Sequence, residues 1–176
     1  DVFAEDYLGS IDCNTLRSGY PEGKRLGESL CNAYAKEKEI DFVIPRLSRT
    51  YGPALLGTDS KAISQFIHRA VLGEDIILKS KGNQLFSYTY SEDAVAAILI
   101  IMLKGDAGEA YNVSDSKSVI TLADLAQILA DIGGTKVIFE LPDEVEKAGY
   151  STATKAVLDD AKLESLGWSA RVHMQE

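Results

Sequence analysis

The sequence predicts an α/β fold. Short apolar runs of strand character alternate along the chain with segments of helical period. The breaks between them fall at Gly, Pro and Asn turn residues. The 176 residues are 45% apolar and 26% charged, the composition of a globular domain long enough to bury a core.

The elements read in order as follows. Residues 1–19 are irregular and polar. Pro21 suits the first turn of a helix, and Leu26, Leu30, Ala33 and Tyr34 give that helix an apolar stripe that fades by Glu39. Residues 41–46 read as a buried strand and Tyr51-Gly52-Pro53 as a turn. An amphipathic helix covers 63–72 and stops at Gly73. Residues 76–78 form a short strand, Gly82-Asn83 a turn, and 86–90 an alternating strand. The most apolar helix spans 92–104, followed by a strand at 110–113. Thr121 caps a helix that runs to Ile132 and closes at Gly133-Gly134. Residues 137–141 read as a strand, 142–157 as loop, and 159–166 as a short helix ending in Gly167-Trp168. Few strands remain for a free-standing sheet and both ends read as unfinished, so the expectation is a piece of a larger protein.

Charge and composition narrow the function. A net charge of −9 argues against nucleic acid and anionic membranes as partners, though a local site can still take an anionic small ligand. The apolar run at 94–103 ends at Lys104, too short to span a membrane, and the start carries no signal-peptide pattern. Cys13 and Cys31 make no disulfide framework, so a reduced, cytoplasmic setting is expected. His68 and His173 are the two histidines, without clustered ligands around them, and no metal site is expected.

The chemistry concentrates at Tyr20-Pro21-Glu22-Gly23-Lys24. A tyrosine and a lysine four apart share one helical face. An ammonium beside a phenol favours its ionised form and can build a neutral-pH acid/base from a group of free pKa about 10. The plain alternative is an exposed i, i+4 pair worth a few tenths of a kcal/mol. A second match, Tyr34-Ala-Lys-Glu-Lys38, sits in a solvated stretch at the end of the same helix, and Tyr34 reads as a packing residue.

The surroundings of Tyr20 add to this. Tyr20-Pro-Glu-Gly-Lys24-Arg-Leu-Gly-Glu28 and then Pro45-Arg46-Leu-Ser-Arg49-Thr50-Tyr51-Gly52-Pro53 resemble the extended short-chain dehydrogenases, the NAD-dependent nucleotide-sugar epimerases, dehydratases and decarboxylases. Residues 59–66, Tyr90-Ser-Glu-Asp93-Ala-Val95, Gly108-Glu-Ala-Tyr-Asn112-Val and Lys162-Leu-Glu-Ser-Leu-Gly167-Trp168 are similar to later stretches of that family, in the same order. The resemblance implies the C-terminal part of a Rossmann-type parallel sheet, with the Tyr20 helix, over 1–53. It implies a small α/β substrate-binding domain, with return elements to the sheet, over 54–176. The family's glycine-rich half would lie outside the sequence.

By the same resemblance, the reaction oxidises a sugar hydroxyl by hydride transfer to NAD, with NADP not excluded. Tyr20 would take the hydroxyl proton. Lys24 would lower the Tyr20 pKa and hold the nicotinamide ribose, and Thr50 falls at the nicotinamide end. Arg49 and Asn112 fall at substrate-contact positions. Lys61 and Gln65 would face the nucleotide of a nucleotide-diphosphate sugar, though solvated helix positions describe them equally well. A homodimer through the Tyr20 helix is implied, and the isolated 176-residue chain is expected to be inactive. Asp1 falls where dehydratases and decarboxylases carry a catalytic Glu. Two residues depart from the pattern. Arg49 stands where the family usually has Asn, and Phe86 where it usually has an Arg that holds diphosphate. Arg49 is a candidate for replacement charge. The rival reading is a non-catalytic nucleotide-binding or regulatory member of the same fold, which Phe86 supports and the Tyr20–Lys24 pair opposes.

Overall fold

The computed structural model describes residues 2–15, 17–53, 55–142 and 153–174. Their elements are α1 (Gly19–Lys38), β1 (Ile44–Leu47), β2 (Arg49–Tyr51), α2 (Ala62–Leu72), β3 (Ile76–Leu78), β4 (Leu85–Tyr90), α3 (Ser91–Lys104), β5 (Ala110–Val113), β6 (Val119–Thr121), α4 (Leu122–Gly133), β7 (Val137–Phe139), β8 (Lys155–Ala156) and α5 (Ala161–Glu164). The α/β class is as the alternation predicted. Asp1 and residues 143–152 lie outside the described residues.

Among the described residues the strands form three small sheets. β1 pairs with β5 and β3 with β7, both parallel. The third sheet is built on β4, which runs parallel to β2 and β8 and antiparallel to β6. Parallel pairs need crossovers, and α2, α3 and α4 lie in those connections. β4 is enclosed on both faces, Phe86, Ser87, Tyr88 and Thr89 all being buried.

Two cores result. In one, α2 and α4 cover β3, β4 and β6 through Ile63, Phe66, Ile76, Leu78, Phe86, Tyr88, Ile120 and Leu125. In the other, Ala94, Ala97 and Ile101 of α3 meet Tyr111 and Val113 of β5, Leu163 and Trp168. The C-terminal segment crosses both: Trp168 belongs to the second core, while Met174 packs against the first. Buried carboxylates fix this segment. Asp93 Oδ2 accepts the N–H groups of Arg171 and Val172, each at 3.0 Å. Asp115 Oδ2 lies 2.8 Å from His173 Nδ1.

The helix stops follow their glycines: Gly73 and Gly134 take the left-handed conformation at the ends of α2 and α4. Thr121 caps α4, its Oγ1 accepting from Asp124 N at 3.1 Å. Four expectations need correction. The strand foreseen at 41–46 starts at Ile44, and after a break at Ser48 the chain enters β2, so Tyr51 is a strand residue. The Ser48 N–H still completes the β1–β5 pairing by donating to Val113 O at 2.9 Å, while its Oγ lies 2.7 Å from Thr89 Oγ1 of β4. β6 and β8 are strands that sequence reading missed. Finally, the stripe on α1 faces outward. None of the helix's residues is buried, and Tyr34, read as a packing residue, is 59% exposed, because no described element lies over that face. No helix among the described residues is long and apolar enough to cross a membrane.

Candidate functional site

α1 presents Tyr20 and Lys24 one turn apart, with Lys24 Nζ 5.6 Å from the centre of the Tyr20 ring. Tyr20 is 76% exposed. Among the described residues Lys24 has no carboxylate partner. The helix is held to β1 by one fork: Arg46 Nε and Nη2 donate to Glu28 Oε1 and Oε2 at 2.8 and 2.7 Å. Arg46 Nη1 donates to Glu5 O at 2.8 Å. Glu28 lies one turn beyond Lys24, so the anchor sits on the side of the helix that carries Tyr20 and Lys24. Glu28, Arg46 and Glu5 are positioning residues that sequence reading did not single out. Glu28 and Arg46 stand within the quoted motifs, but nothing in their spacing couples positions eighteen residues apart.

β2 and β4 make a two-faced platform. Their register sets Arg49 beside Tyr88 and Thr50 beside Thr89, and alternation sends neighbours to opposite faces. One face carries hydroxyls: Ser48, Thr50, Ser87 and Thr89. Thr50 Oγ1 makes only a long bond, 3.4 Å, to Ser48 O. The other face carries Arg49, Phe86 and Tyr88. The Arg49 guanidinium carbon lies 3.3 Å from the centre of the Phe86 ring, a face-on cation–π contact. Burial pushes the Arg49 pKa below its ordinary value. Burial pushes the Tyr88 phenol up to about 12, against the partial opposition of the Arg49 charge.

Lys61 and Gln65 are exposed at the start of α2, and their described contacts are local. Asp59 Oδ1 accepts from Lys61 N at 3.1 Å, and Asp59 Oδ2 accepts from Ser64 Oγ at 2.9 Å and from Lys61 Nζ at 3.4 Å. The Lys61 N–H and then the Ser64 hydroxyl hold the Asp59 carboxyl below the usual range. Gln65 Nε2 donates to Ser60 O at 3.4 Å. Asn112 is buried, and its groups serve the N-terminal segment: Nδ2 donates to Phe3 O at 3.0 Å, and its N–H to Glu5 Oε1 at 2.7 Å. The seven residues foreseen from sequence therefore fall in four places: the α1 face, the β2–β4 platform, the α2 start and the interior of β5. No side-chain hydrogen bond joins any two of them among the described residues. Asp1 lies outside those residues.

The comparisons with known proteins agree with one another. The chain matches the NAD dependent epimerase/dehydratase family over residues 3–114. It is 30% identical to UDP-glucuronic acid decarboxylase 3 of Arabidopsis thaliana across 98% of its own length and 49% of the relative's. It is similar in fold to the dTDP-glucose 4,6-dehydratase of Bacillus anthracis solved with NAD (TM-score 0.82, 18% identity, 99% of this chain and 52% of that one). It is likewise similar to the UDP-glucose 4-epimerase of Thermotoga maritima solved with UDP-glucose (TM-score 0.78, 24% identity, 89% and 50%). The chain spans about half the length of the curated relatives it matches.

Proposed function

Because this chain belongs to the NAD dependent epimerase/dehydratase family, we propose that it serves the NAD-dependent conversion of a nucleotide-diphosphate sugar through transient oxidation of a sugar hydroxyl. The observation that carries the proposal is the α1 face: a phenol and an ammonium one turn apart on a helix anchored through Glu28, neither with a hydrogen bond from its side chain among the described residues.

In this reading Tyr20 accepts the hydroxyl proton as the sugar is oxidised and returns it when the ketone is reduced. Lys24 places a positive charge one turn from that phenol, 5.6 Å from the centre of its ring. The donor set suits the nicotinamide end of NAD: the Tyr20 hydroxyl, the Lys24 ammonium and the weakly bonded Thr50 hydroxyl. When bound, NAD supplies the hydride acceptor. No Gly-x-x-Gly-x-x-Gly turn for the pyrophosphate occurs in these 176 residues, so the isolated chain is expected to bind NAD poorly and to be inactive. Epimerisation, dehydration and decarboxylation, the reactions named for the relatives, all fit an initial oxidation. The outward stripe of α1, with Leu26, Leu30 and Tyr34 each at least half exposed, supports a homodimer through this helix.

The test is turnover by the full protein, supplied with NAD, of UDP-glucose, UDP-glucuronic acid and dTDP-glucose, with products separated chromatographically. Conversion of one of them is expected. Failure to convert any, with the protein folded and NAD bound, sinks the proposal.

A further inference from the structure

Among the described residues Arg49 is a charge without a counter-ion. Two other arginines among the described residues are similarly half-buried, and each is satisfied. Arg46 holds both oxygens of Glu28 and the carbonyl of Glu5. Arg69 donates to Asp75 O at 3.1 Å and lies 3.6 Å from Glu74. The Arg49 side chain has no hydrogen bond and no carboxylate among the described residues; its guanidinium lies over the ring of Phe86. The polar group whose charge bears on it is the Tyr88 phenol, which burial keeps protonated to about pH 12, so Tyr88 cannot balance the charge at neutral pH. A guanidinium drawn partly out of water with its donors unused is costly unless something else pairs with it. The contact meanwhile holds the guanidinium carbon 3.3 Å over the ring, which restricts where its donors can meet a two-oxygen partner.

We infer that Arg49, held face-on against Phe86, receives an oxyanion of the nucleotide sugar: a phosphate of its diphosphate or a carboxylate on its sugar. This rests on the nucleotide-sugar reading above and deepens it. The geometry gives Phe86 a definite part, since an aromatic face supports a guanidinium without consuming any of its N–H donors. Arg49 also leaves β2 on the face opposite Thr50. The anion grip and the nicotinamide end are thereby divided between the two sides of one strand.

The test is calorimetric titration of the full protein with UDP, UDP-glucose and UDP-glucuronic acid, for the wild type, Arg49→Gln and Arg49→Lys. Thermal unfolding confirms that each variant is folded. Arg49→Gln is expected to weaken binding by about 10- to 100-fold, and Arg49→Lys, which keeps the charge but loses the fork and the stack, by less. Equal losses for all three probes assign the anion to the diphosphate. A loss confined to UDP-glucuronic acid assigns it to the carboxylate. If the wild type binds a probe and both variants bind it as tightly, the inference is overturned while the nucleotide-sugar reading stands. If the wild type binds none of the three and does not bind dTDP-glucose either, that reading fails and the inference falls with it.

Discussion

Tyr88 shows how one side chain ties the platform to stability. Its phenol is buried and pushed up to about 12, against an ordinary value near 10. Below about pH 10 the folded and unfolded chains both keep the proton, and the contribution to stability is full. As pH rises from about 10 to about 12 the unfolded phenol ionises first, so stability is lost through that window, about 3 kcal/mol in all. Urea unfolding at about pH 9 and about pH 11 should therefore show Tyr88→Phe less alkali-sensitive than the wild type by roughly 1 kcal/mol; equal sensitivity would mean that Tyr88 is not held neutral. At this scale the sequence was a partial guide. Tyr20 and Lys24 were legible because a four-residue spacing is itself a geometry. The Arg49–Phe86 stack was not, because it joins residues thirty-seven positions apart through a strand pairing that no local pattern encodes. The bond from Asn112 Nδ2 to Phe3 O was likewise hidden, since it joins residues far apart in the chain.

At the scale of elements, glycine and capping signals placed the helix ends well, since those signals act within one turn. β6 was missed because it runs into Thr121, read only as the cap of α4, and β8 because it lies in the stretch read as loop. The approach of α2 to α4 was also hidden. It depends on Gly133, where an added Cβ would lie 2.8 Å from Ala70 O and 3.0 Å from Ala70 Cα. Gly133→Ala gains up to about 1 kcal/mol of helix propensity but forces backbone atoms apart at about 1–3 kcal/mol. The clash should win and lower Tm by several degrees; a raised Tm would show that the helices part easily. On α1, Leu30→Glu places a charge in the outward stripe. The homodimer proposal expects this variant to elute from size-exclusion chromatography as a monomer where the wild type elutes as a dimer, and unchanged elution would count against it.

At the scale of the whole molecule, the C-terminal segment joins two cores built by different parts of the chain. Asp93 carries that joint through the two N–H groups of Arg171 and Val172, while its own carbonyl accepts Trp168 Nε1 at 3.1 Å. Hydrogen bonds to a charged acceptor contribute about 1.5–3 kcal/mol each. Asp93→Ala should therefore destabilise the fold by several kcal/mol and shift the fluorescence of Trp168, the one tryptophan, toward that of a hydrated indole. An unshifted spectrum would mean that the segment stays in place without Asp93. The joint bears on function because α3 and β5 of the second core carry the sheet to which α1 is anchored. The central claim remains the chemistry of that helix. Its most direct test is Tyr20→Phe in the full protein, assayed for turnover of a nucleotide sugar with NAD and, in parallel, for binding of the same sugar. We predict turnover reduced by about 10²- to 10⁴-fold with binding retained; turnover at the wild-type rate would contradict the assignment of Tyr20 as the acid/base.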